Sequence, residues 1–201
     1  MAESIYPKRS AAVVRTTKET DISVKLTLDG AGQYRNQTGV GFLDHMLDLF
    51  AKHGQFDLEA TCSGDLNVDE HHTVEDVGIC LGQALRKALG DKARIARYGH
   101  AYVPMDEALA RTVVDLSGRF AIHFESQFDR PTVGDLATEL VQHFWYSFAE
   151  HAACTLHISV PYGTNTHHKI EAIFKSAARA LNIATQQSAT NAVMPSTKGT
   201  L

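Results

Sequence analysis

Two copies of one histidine-carboxylate motif hold the residues of this sequence that are best suited to metal chemistry. Residues 71–75 read His-His-Thr-Val-Glu, and residues 167–171 read His-His-Lys-Ile-Glu. Each copy opens a segment with helical apolar periodicity, where residues three and four apart share a face, so the glutamate can join either histidine. Adjacent imidazoles diverge by about 100° on a helix of roughly 3.6 residues per turn. Each pair of histidines can therefore serve two different ions.

An earlier histidine accompanies each motif and strengthens the internal match. His45 and His53 have the same separation as His143 and His151, and the later histidine of each pair follows a Phe-Ala pair. We interpret this order as an internal duplication, which predicts two equivalent metal sites. The predicted ligands are His45, His71, His72 and Glu75 in the first half and His143, His167, His168 and Glu171 in the second.

Ligands of this kind do not define one metal. Imidazole and carboxylate groups without sulfur suit manganese, iron, cobalt or zinc. A single histidine of this kind is often only a hydrogen-bonded core or surface residue, and the duplication is what favours metal binding. His53 and His151 are better explained as structural, because both lie at predicted helix ends where an imidazolium interacts well with the helix dipole. His100, His123 and His157 receive no role.

The polarity pattern places these residues on two repeats of strands, helix, strands and helix. In the first half we predict strands at 11–18, 21–28, 56–62 and 66–68 and helices at 42–53 and 72–89, ended by Gly54 and Gly90. In the second half we predict strands at 110–116 and 154–160 and helices at 135–151 and 167–182. The prediction is an α+β fold of duplicated half-domains. It forms one domain over residues 1–201, with repeats at about 8–93 and 94–184 and a tail at 185–201.

The composition narrows the class of protein. The chain has 201 residues, of which 44% are hydrophobic and 21% charged, as in an ordinary globular protein. Its net charge of -4 gives no basic surface for nucleic acid or an anionic membrane. No apolar run has the length of a membrane span, and no signal-peptide core follows Met1. Three cysteines without a C-x-x-C pair predict neither disulfides nor a thiolate metal site. We therefore expect a cytoplasmic protein.

Four runs of residues resemble one known family. They are Gly-Phe-Leu-Asp-His-Met-Leu at 41–47, the segment 64–76 with its Asp-Glu-His-His-Thr-Val-Glu-Asp, the motif at 167–171, and Pro-Ser-Thr-Lys-Gly at 195–199. Together they resemble imidazoleglycerol-phosphate dehydratase, an enzyme family of histidine biosynthesis, from about Lys8 to Leu201. Leu49 stands where some relatives carry glutamine, which affects only a peripheral substrate contact.

The resemblance implies a fold, an assembly and a set of partners. The family fold has two mixed sheets that flank a four-helix layer, similar to domain 2 of ribosomal protein S5. The family also implies two Mn²⁺ ions per active site and a homo-oligomer of twenty-four subunits with active sites between subunits. The expected form is monofunctional, without a fused phosphatase. The implied substrate and phosphate contacts are Glu19, His45, His53, Arg97, Arg119, Lys175, Ser196, Thr197 and Lys198.

The implied reaction removes water from D-erythro-imidazole glycerol phosphate to give imidazole acetol phosphate. The proton that leaves is on a carbon without an adjacent carbonyl, so the imidazole ring of the substrate has to activate it. If both ring nitrogens bind cations, the ring becomes an imidazolate that expels hydroxide and leaves a diazafulvene. A carboxylate base then removes the neighbouring proton, and the enol product becomes a ketone. Two metals are therefore expected to be required.

The base and the sharing of ligands follow as further expectations. A carboxylate bound to a divalent cation is a weak proton acceptor, so Glu19 is the first candidate for the base and Glu171 the second. Glu107, the repeat partner of Glu19, is expected to be dispensable for proton transfer. One ion is expected to take His71, Glu75, His168 and either His45 or His143, and the other ion His167, Glu171, His72 and the remaining histidine. A neighbouring subunit is expected to complete each site.

Two other classes of function fit the same residues. A metal-binding or storage protein could use duplicated histidine and glutamate ligands, but it leaves Glu19 and the basic tail without a role. A metal-dependent hydrolase could use two cations to activate water, and the spacing alone does not exclude it. An assay for keto product, free phosphate or no change separates the three classes.

Overall fold

The computed structural model describes residues 8–187, 195–197 and 199. Its first half contains strands β1 Ser10–Thr16, β2 Thr20–Thr27, β3 Tyr34–Gln37 and β4 Asp57–Gly64 and helices α1 Gly41–Gly54 and α2 His71–Leu89. Its second half contains strands β5 Tyr98–Met105, β6 Ala108–Asp115, β7 Ala121–Glu125, β8 Thr132–Val133, β9 Leu136–Ala137 and β10 Thr155–Tyr162 and helices α3 Glu139–Ala152 and α4 Thr166–Thr185.

Each half forms one mixed sheet with the same topology. The first sheet has the order β1-β2-β4-β3 and the second β5-β6-β10-β7. In each sheet the first three strands are antiparallel, and the last strand, β3 or β7, is parallel to its neighbour. Ile22, Val24 and Leu26 of β2 are buried and alternate with exposed residues, as expected for a strand with one face on the core.

The four helices lie between the two sheets, where α2 packs on α3 and α1 packs on α4. Gly78 and Gly82 of α2 allow the first contact to be close, since a Cβ at Gly78 would lie 2.8 Å from the Phe144 carbonyl oxygen. Large buried side chains, among them Phe50, Trp145 and Phe148, fill the space around the helices. The predicted fold class is therefore confirmed: an α+β protein of duplicated halves with two mixed sheets around a four-helix layer.

Two local predictions were wrong. Residues 66–68 form a turn, because the Val68 amide donates to the Asp65 carbonyl and not to a neighbouring strand. Helix α3 begins at Glu139 instead of residue 135, because β8 and β9 pair as a hairpin just before it. Helix α1 ends at Gly54 as predicted, and Gln55 after it adopts the left-handed conformation, with φ of 56°.

The tail is described only in part. Helix α4 runs to Thr185, so the predicted tail begins inside the last turn of that helix. Pro195, Ser196 and Thr197 are described, whereas Lys198 lies outside the described residues. In the described part of the chain, no helix is both long and apolar enough to span a membrane.

Candidate metal centres

The structure brings six of the eight predicted ligands into two clusters of three. The α2 cluster contains His71, Glu75 and His143, and the α4 cluster contains His167, Glu171 and His45. In each cluster the potential ligand atoms lie within 4.8 Å of one another. Each motif supplies its first histidine and its glutamate from one helical face, and a facing helix supplies the third residue.

The start of each helix positions its motif. Asp69 Oδ1 accepts a hydrogen bond of 2.9 Å from the His71 amide at the first turn of α2. Asn165 Oδ1 accepts one of 2.9 Å from the His167 amide at the first turn of α4. Such contacts satisfy the free amides of a helix N-terminus. Both histidine pairs are therefore held at helix ends, where their side chains can project beyond the core.

The α4 cluster is centred on the buried carboxylate of Glu171. His167 Nε2 lies 2.9 Å and His45 Nε2 lies 3.2 Å from Glu171 Oε1, and Lys175 Nζ donates to Oε2 at 2.6 Å. Burial alone raises the pKa of Glu171, but the hydrogen bonds from Lys175, His167 and His45 outweigh it and lower the pKa to about 2. Glu171 is therefore an anionic candidate ligand at neutral pH.

The α2 cluster is more open and has looser contacts. Glu75 Oε2 lies 4.0 Å from His71 Nε2, and Glu75 Oε1 lies 3.5 Å from His143 Nε2. The rings of His71 and His143 have their centroids 4.7 Å apart. His143 Nε2 is buried, yet it has no hydrogen-bond partner in the described part of the chain. A buried imidazole nitrogen of this kind, directed at a carboxylate and a second imidazole, fits a cation as its partner.

The remaining two predicted ligands, His72 and His168, belong to neither cluster. The ring centroid of His72 lies 6.2 Å from that of His71, and the centroid of His168 lies 6.1 Å from that of His167. His72 Nδ1 lies 3.0 Å from Asp65 Oδ2, and His168 Nδ1 lies 2.7 Å from Glu107 Oε2. With the Nδ1 proton donated to a carboxylate, Nε2 keeps its lone pair for a cation.

The sequence did not predict Asp65 and Glu107, the carboxylates that accept hydrogen bonds from these two histidines, as residues of a metal centre. The sequence motifs assign no role to Asp65, whose amide bonds to the Glu19 carbonyl at 3.0 Å and so holds it beside His72. The hydrogen bond that His72 donates to Asp65 raises the pKa of His72, and the one that His168 donates to Glu107 raises the pKa of His168. Nothing in the spacing of these residues along the chain predicts either pair, because each contact depends on how the strands are arranged.

Glu19 and Glu107 have different surroundings although they occupy equivalent positions. The carboxylate of Glu19 lies 3.8 Å from His72 Nε2, beyond hydrogen-bond distance, and 54% of its side chain is exposed. Glu107 accepts hydrogen bonds from the amides of Thr164 and Asn165, at 2.9 and 2.6 Å, in addition to its contact with His168. These hydrogen bonds lower the pKa of Glu107, and the one with His168 has the largest effect. Of these two repeat partners, Glu19 is the one whose carboxylate makes no hydrogen bond to a motif histidine.

The residues predicted to bind phosphate lie in more than one region. Arg97 forms a two-point contact with Asp115, at 2.7 and 3.1 Å, and donates to the carbonyl of Pro195 at 2.7 Å. Its amide bonds to the Ala184 carbonyl, so Arg97 lies about 13 Å along the axis of α4 from Lys175. Arg119 is exposed in the loop before β7. Ser196 is half-buried and Thr197 is exposed.

Lys175 and His53 form a second basic region beside the α4 cluster. Lys175 is largely buried and directs Nζ at Glu171. Burial lowers the pKa of His53, and the nearby charges of Lys175 and Arg179 lower it further. The protonated form of His53 is therefore disfavoured in this positively charged region, whereas the sequence favoured an imidazolium at the end of its helix. The structure does not bring Arg97 and Lys175 together in one chain.

Comparisons with known proteins show the family of the chain. Residues 38–181 match the family model described as imidazoleglycerol-phosphate dehydratase. A protein of that name from Salinibacter ruber is 64% identical over 100% of both chains, and one from Chloroherpeton thalassium is 54% identical over 97% of this chain and 100% of its own. The crystal structure of the Staphylococcus aureus dehydratase has 41% identity and a TM-score of 0.81, covering 89% of this chain and 99% of its own.

The fold and these comparisons define an enzyme of the hydro-lyase class. Within that class, the chain belongs to the imidazoleglycerol-phosphate dehydratase family and acts in histidine biosynthesis. The structure from Pyrococcus furiosus, with 36% identity and a TM-score of 0.81 over 94% of this chain and 100% of its own, supports the same assignment.

Proposed function

We propose that this chain carries out its dehydration with two divalent cations, Mn²⁺ in the first instance, held by the α2 and α4 clusters. The observation that carries the proposal is the pair of three-ligand clusters, each formed by one motif and one histidine of a facing helix. Two such cations, one at each ring nitrogen, would acidify the imidazole of D-erythro-imidazole glycerol phosphate, as the diazafulvene route to imidazole acetol phosphate requires.

The residues of the chain would orient the substrate and move its proton. Glu19 is our candidate for the base, because its exposed carboxylate lies beside His72 but is not held by a hydrogen bond to it. Glu171 is a poorer base, since hydrogen bonds to Lys175 and two histidines lower its pKa to about 2. A base that works near neutral pH needs a higher pKa than that to accept a proton efficiently.

Within one chain, neither His72 nor His168 belongs to a three-ligand cluster. We propose that each of these histidines completes a metal site of a neighbouring subunit. In this arrangement His143 completes the set of His71 and Glu75, and His45 completes that of His167 and Glu171. The separation of Arg97 from Lys175 supports the same view, because a phosphate pocket that uses both needs a second chain.

Shared metal sites couple the metal to the assembly, for which we propose the twenty-four-subunit homo-oligomer. Binding that occurs only in the assembled state stabilises that state. Complete chelation of the metal should therefore reduce the particle mass measured by light scattering, and readdition of Mn²⁺ should restore it. A particle mass that does not change in fully metal-free protein would exclude the coupling.

The activity assay tests the proposal against the other two classes. Purified protein with Mn²⁺ and imidazole glycerol phosphate should form the keto product and no free phosphate. Phosphate release would indicate a hydrolase, and metal binding without turnover would indicate a storage protein. Metal analysis on the same sample should give about two ions per chain, and a cytoplasmic location remains a prediction from the sequence.

A further inference from the structure

Three histidines that the mechanism does not use lie in one row on the outer face of the second sheet. The register pairs His100 of β5 with Val113 of β6, Val113 with His157 of β10, and His157 with His123 of β7. All four side chains are exposed. Their neighbours along the strands, such as Val114 and Leu156, are buried under the helices. The row therefore lies on the opposite side of the sheet from the helix layer that carries the two clusters.

His123 and His157 are close enough to share a cation. They are directly opposite each other on adjacent strands, with ring centroids 5.7 Å apart and ring planes 33° apart. In the α2 and α4 clusters the corresponding histidine rings are 4.7 and 6.4 Å apart, so the spacing of this pair lies between them. Glu125, two residues further on the same face of β7, places Oε2 3.8 Å from His123 Nε2.

His100 belongs to the row but not to the pair. Val113 separates it from His157, which places the two histidines two strand spacings, or about 9.5 Å, apart. Two imidazoles bound to one ion at about 2.0–2.1 Å cannot span that distance without strand movement. His100 is therefore a matched control, because it has the same side chain on the same face.

At the positions equivalent to the histidine pair, the first sheet has charged side chains instead. There the register pairs Ala12 with Lys25, Lys25 with Glu59, and Glu59 with Arg35. Lys25 Nζ lies 3.4 Å from Glu59 Oε1, and both side chains are mostly exposed. A row of alternating charges is an ordinary way to fill the outer face of a sheet. The histidine pair is thus not required by the fold, since the same topology is built without it.

We propose that His123 and His157 form a separate surface site for a borderline divalent cation such as Ni²⁺, Zn²⁺ or Cu²⁺, with the Glu125 carboxylate beside His123. Two imidazoles are ligands that these ions accept, and water can fill the remaining positions. Mn²⁺ is the weakest binder of the first-row series, so an exposed site with so few protein ligands should discriminate against it. The site can therefore remain empty while the α2 and α4 clusters hold Mn²⁺.

The site can be tested by equilibrium dialysis of the assembled protein against Ni²⁺, followed by metal analysis. The amount of bound Ni²⁺ is compared between each variant and the wild type. Compared with the wild type, His123→Ala and His157→Ala should each lose about one bound Ni²⁺ per chain, and His100→Ala should lose none. Particle mass and circular dichroism verify that the variants are folded. Equal Ni²⁺ content in the wild type and both pair variants would overturn the proposal, and so would an equal loss in His100→Ala.

A gain of binding in the first sheet provides an independent test. The double variant Arg35→His with Glu59→His places two histidines at the equivalent cross-strand positions, and it should gain about one Ni²⁺ per chain. An absence of gain, in a folded protein, would mean that paired cross-strand histidines in this topology are not sufficient, which contradicts the proposal. Because both tests compare variants with the wild type, failure of the proposed metal clusters would not change their outcome.

Discussion

Glu19 and Glu107 occupy the same place in the two halves, immediately before the second strand of each sheet, yet they do different work in the structure. Glu107 holds His168 and accepts two amides at the beginning of α4. In the first half the equivalent histidine, His72, is held by Asp65 instead. Because Asp65 takes over the structural contact, Glu19 keeps an accessible carboxylate. The comparison shows how duplicated halves can serve an asymmetric substrate.

The largest effect should come from Glu19→Gln. Glutamine keeps the size of the side chain but cannot accept the proton, so we expect kcat to fall by about a hundred- to ten-thousand-fold. The metal content should remain that of the wild type, because Glu19 lies outside both clusters. Steady-state kinetics with metal analysis on the same sample checks both. Near-normal turnover would assign the base elsewhere, with Glu171 as the next candidate.

Glu107→Gln should have the opposite effect to Glu19→Gln, because it should weaken metal binding and leave proton transfer intact. The substitution weakens the support of His168, and loss of such support typically costs about 10- to 100-fold in metal affinity. At saturating Mn²⁺ the kcat should return to near the wild-type value, because Glu107 is not the base. Mn²⁺ titrations of activity for both glutamine variants would show the contrast. If Glu107→Gln lowered kcat at saturating metal as much as Glu19→Gln, the division of roles would be wrong.

The helix contacts of the two halves also differ. A substitution at these contacts should have a smaller effect than the two glutamine variants. Gly78 and Gly82 of α2 correspond in the repeat to Phe174 and Ala178 of α4. A Cβ at Gly82 would meet the Phe148 carbonyl oxygen and would lie 3.0 Å from the Ala152 amide. Overpacking of this kind typically costs about 1–3 kcal/mol. Gly82→Ala should therefore lower the free energy of unfolding by that amount.

The matched control for that change is on the exposed part of the same helix. Gln83 is next to Gly82 but is only partly buried, so Gln83→Ala should change the free energy of unfolding by less than about 0.5 kcal/mol. Urea denaturation of the three proteins at one protein concentration measures both effects. Equal stability of Gly82→Ala and the wild type would show that α2 can move away from α3 without cost.

The smallest effect concerns a contact that only one half receives. Asp135, in the hairpin of the second half, accepts hydrogen bonds from the amides of Gly41 and Phe42, at 2.6 and 2.9 Å, at the beginning of α1. Since Asp135 is exposed, Asp135→Ala should lower the free energy of unfolding by about 0.5–1 kcal/mol, the low end for the loss of an N-terminal cap.

The contribution of Asp135 should depend on pH in a defined direction. Burial raises the pKa of Asp135, but the hydrogen bonds from Phe42 and Gly41 outweigh it and the pKa is lowered. A carboxylate with a lowered folded-state pKa stabilises the fold above its unfolded pKa of about 3.9 and loses that contribution as the pH falls further. The difference between the wild type and Asp135→Ala should therefore be full at neutral pH and shrink below about pH 4. A difference that grew on acidification would contradict the sign.

Much of the fold follows from local pattern. The alternation in β2 and the helical period of α2 are consequences of side-chain geometry along one strand or helix, so the sequence alone predicts them. The predicted strand at 66–68 and the early start of α3 failed for the opposite reason. A turn closed by Asp65 and a hairpin at β8 and β9 depend on hydrogen bonds between backbone groups that the apolar period does not encode.

The sequence by itself determined which residues could bind metal, because two copies of one spacing place a histidine and a glutamate on one helical face. It left open whether His45 or His143 joins each motif. Only the tertiary structure decided this, because α3 faces α2 and α1 faces α4 across the helix layer. The separate fates of Glu19 and Glu107 were likewise decided by tertiary contacts. A carboxylate becomes an anchor or remains accessible according to which amides and histidines the folded chain brings to it.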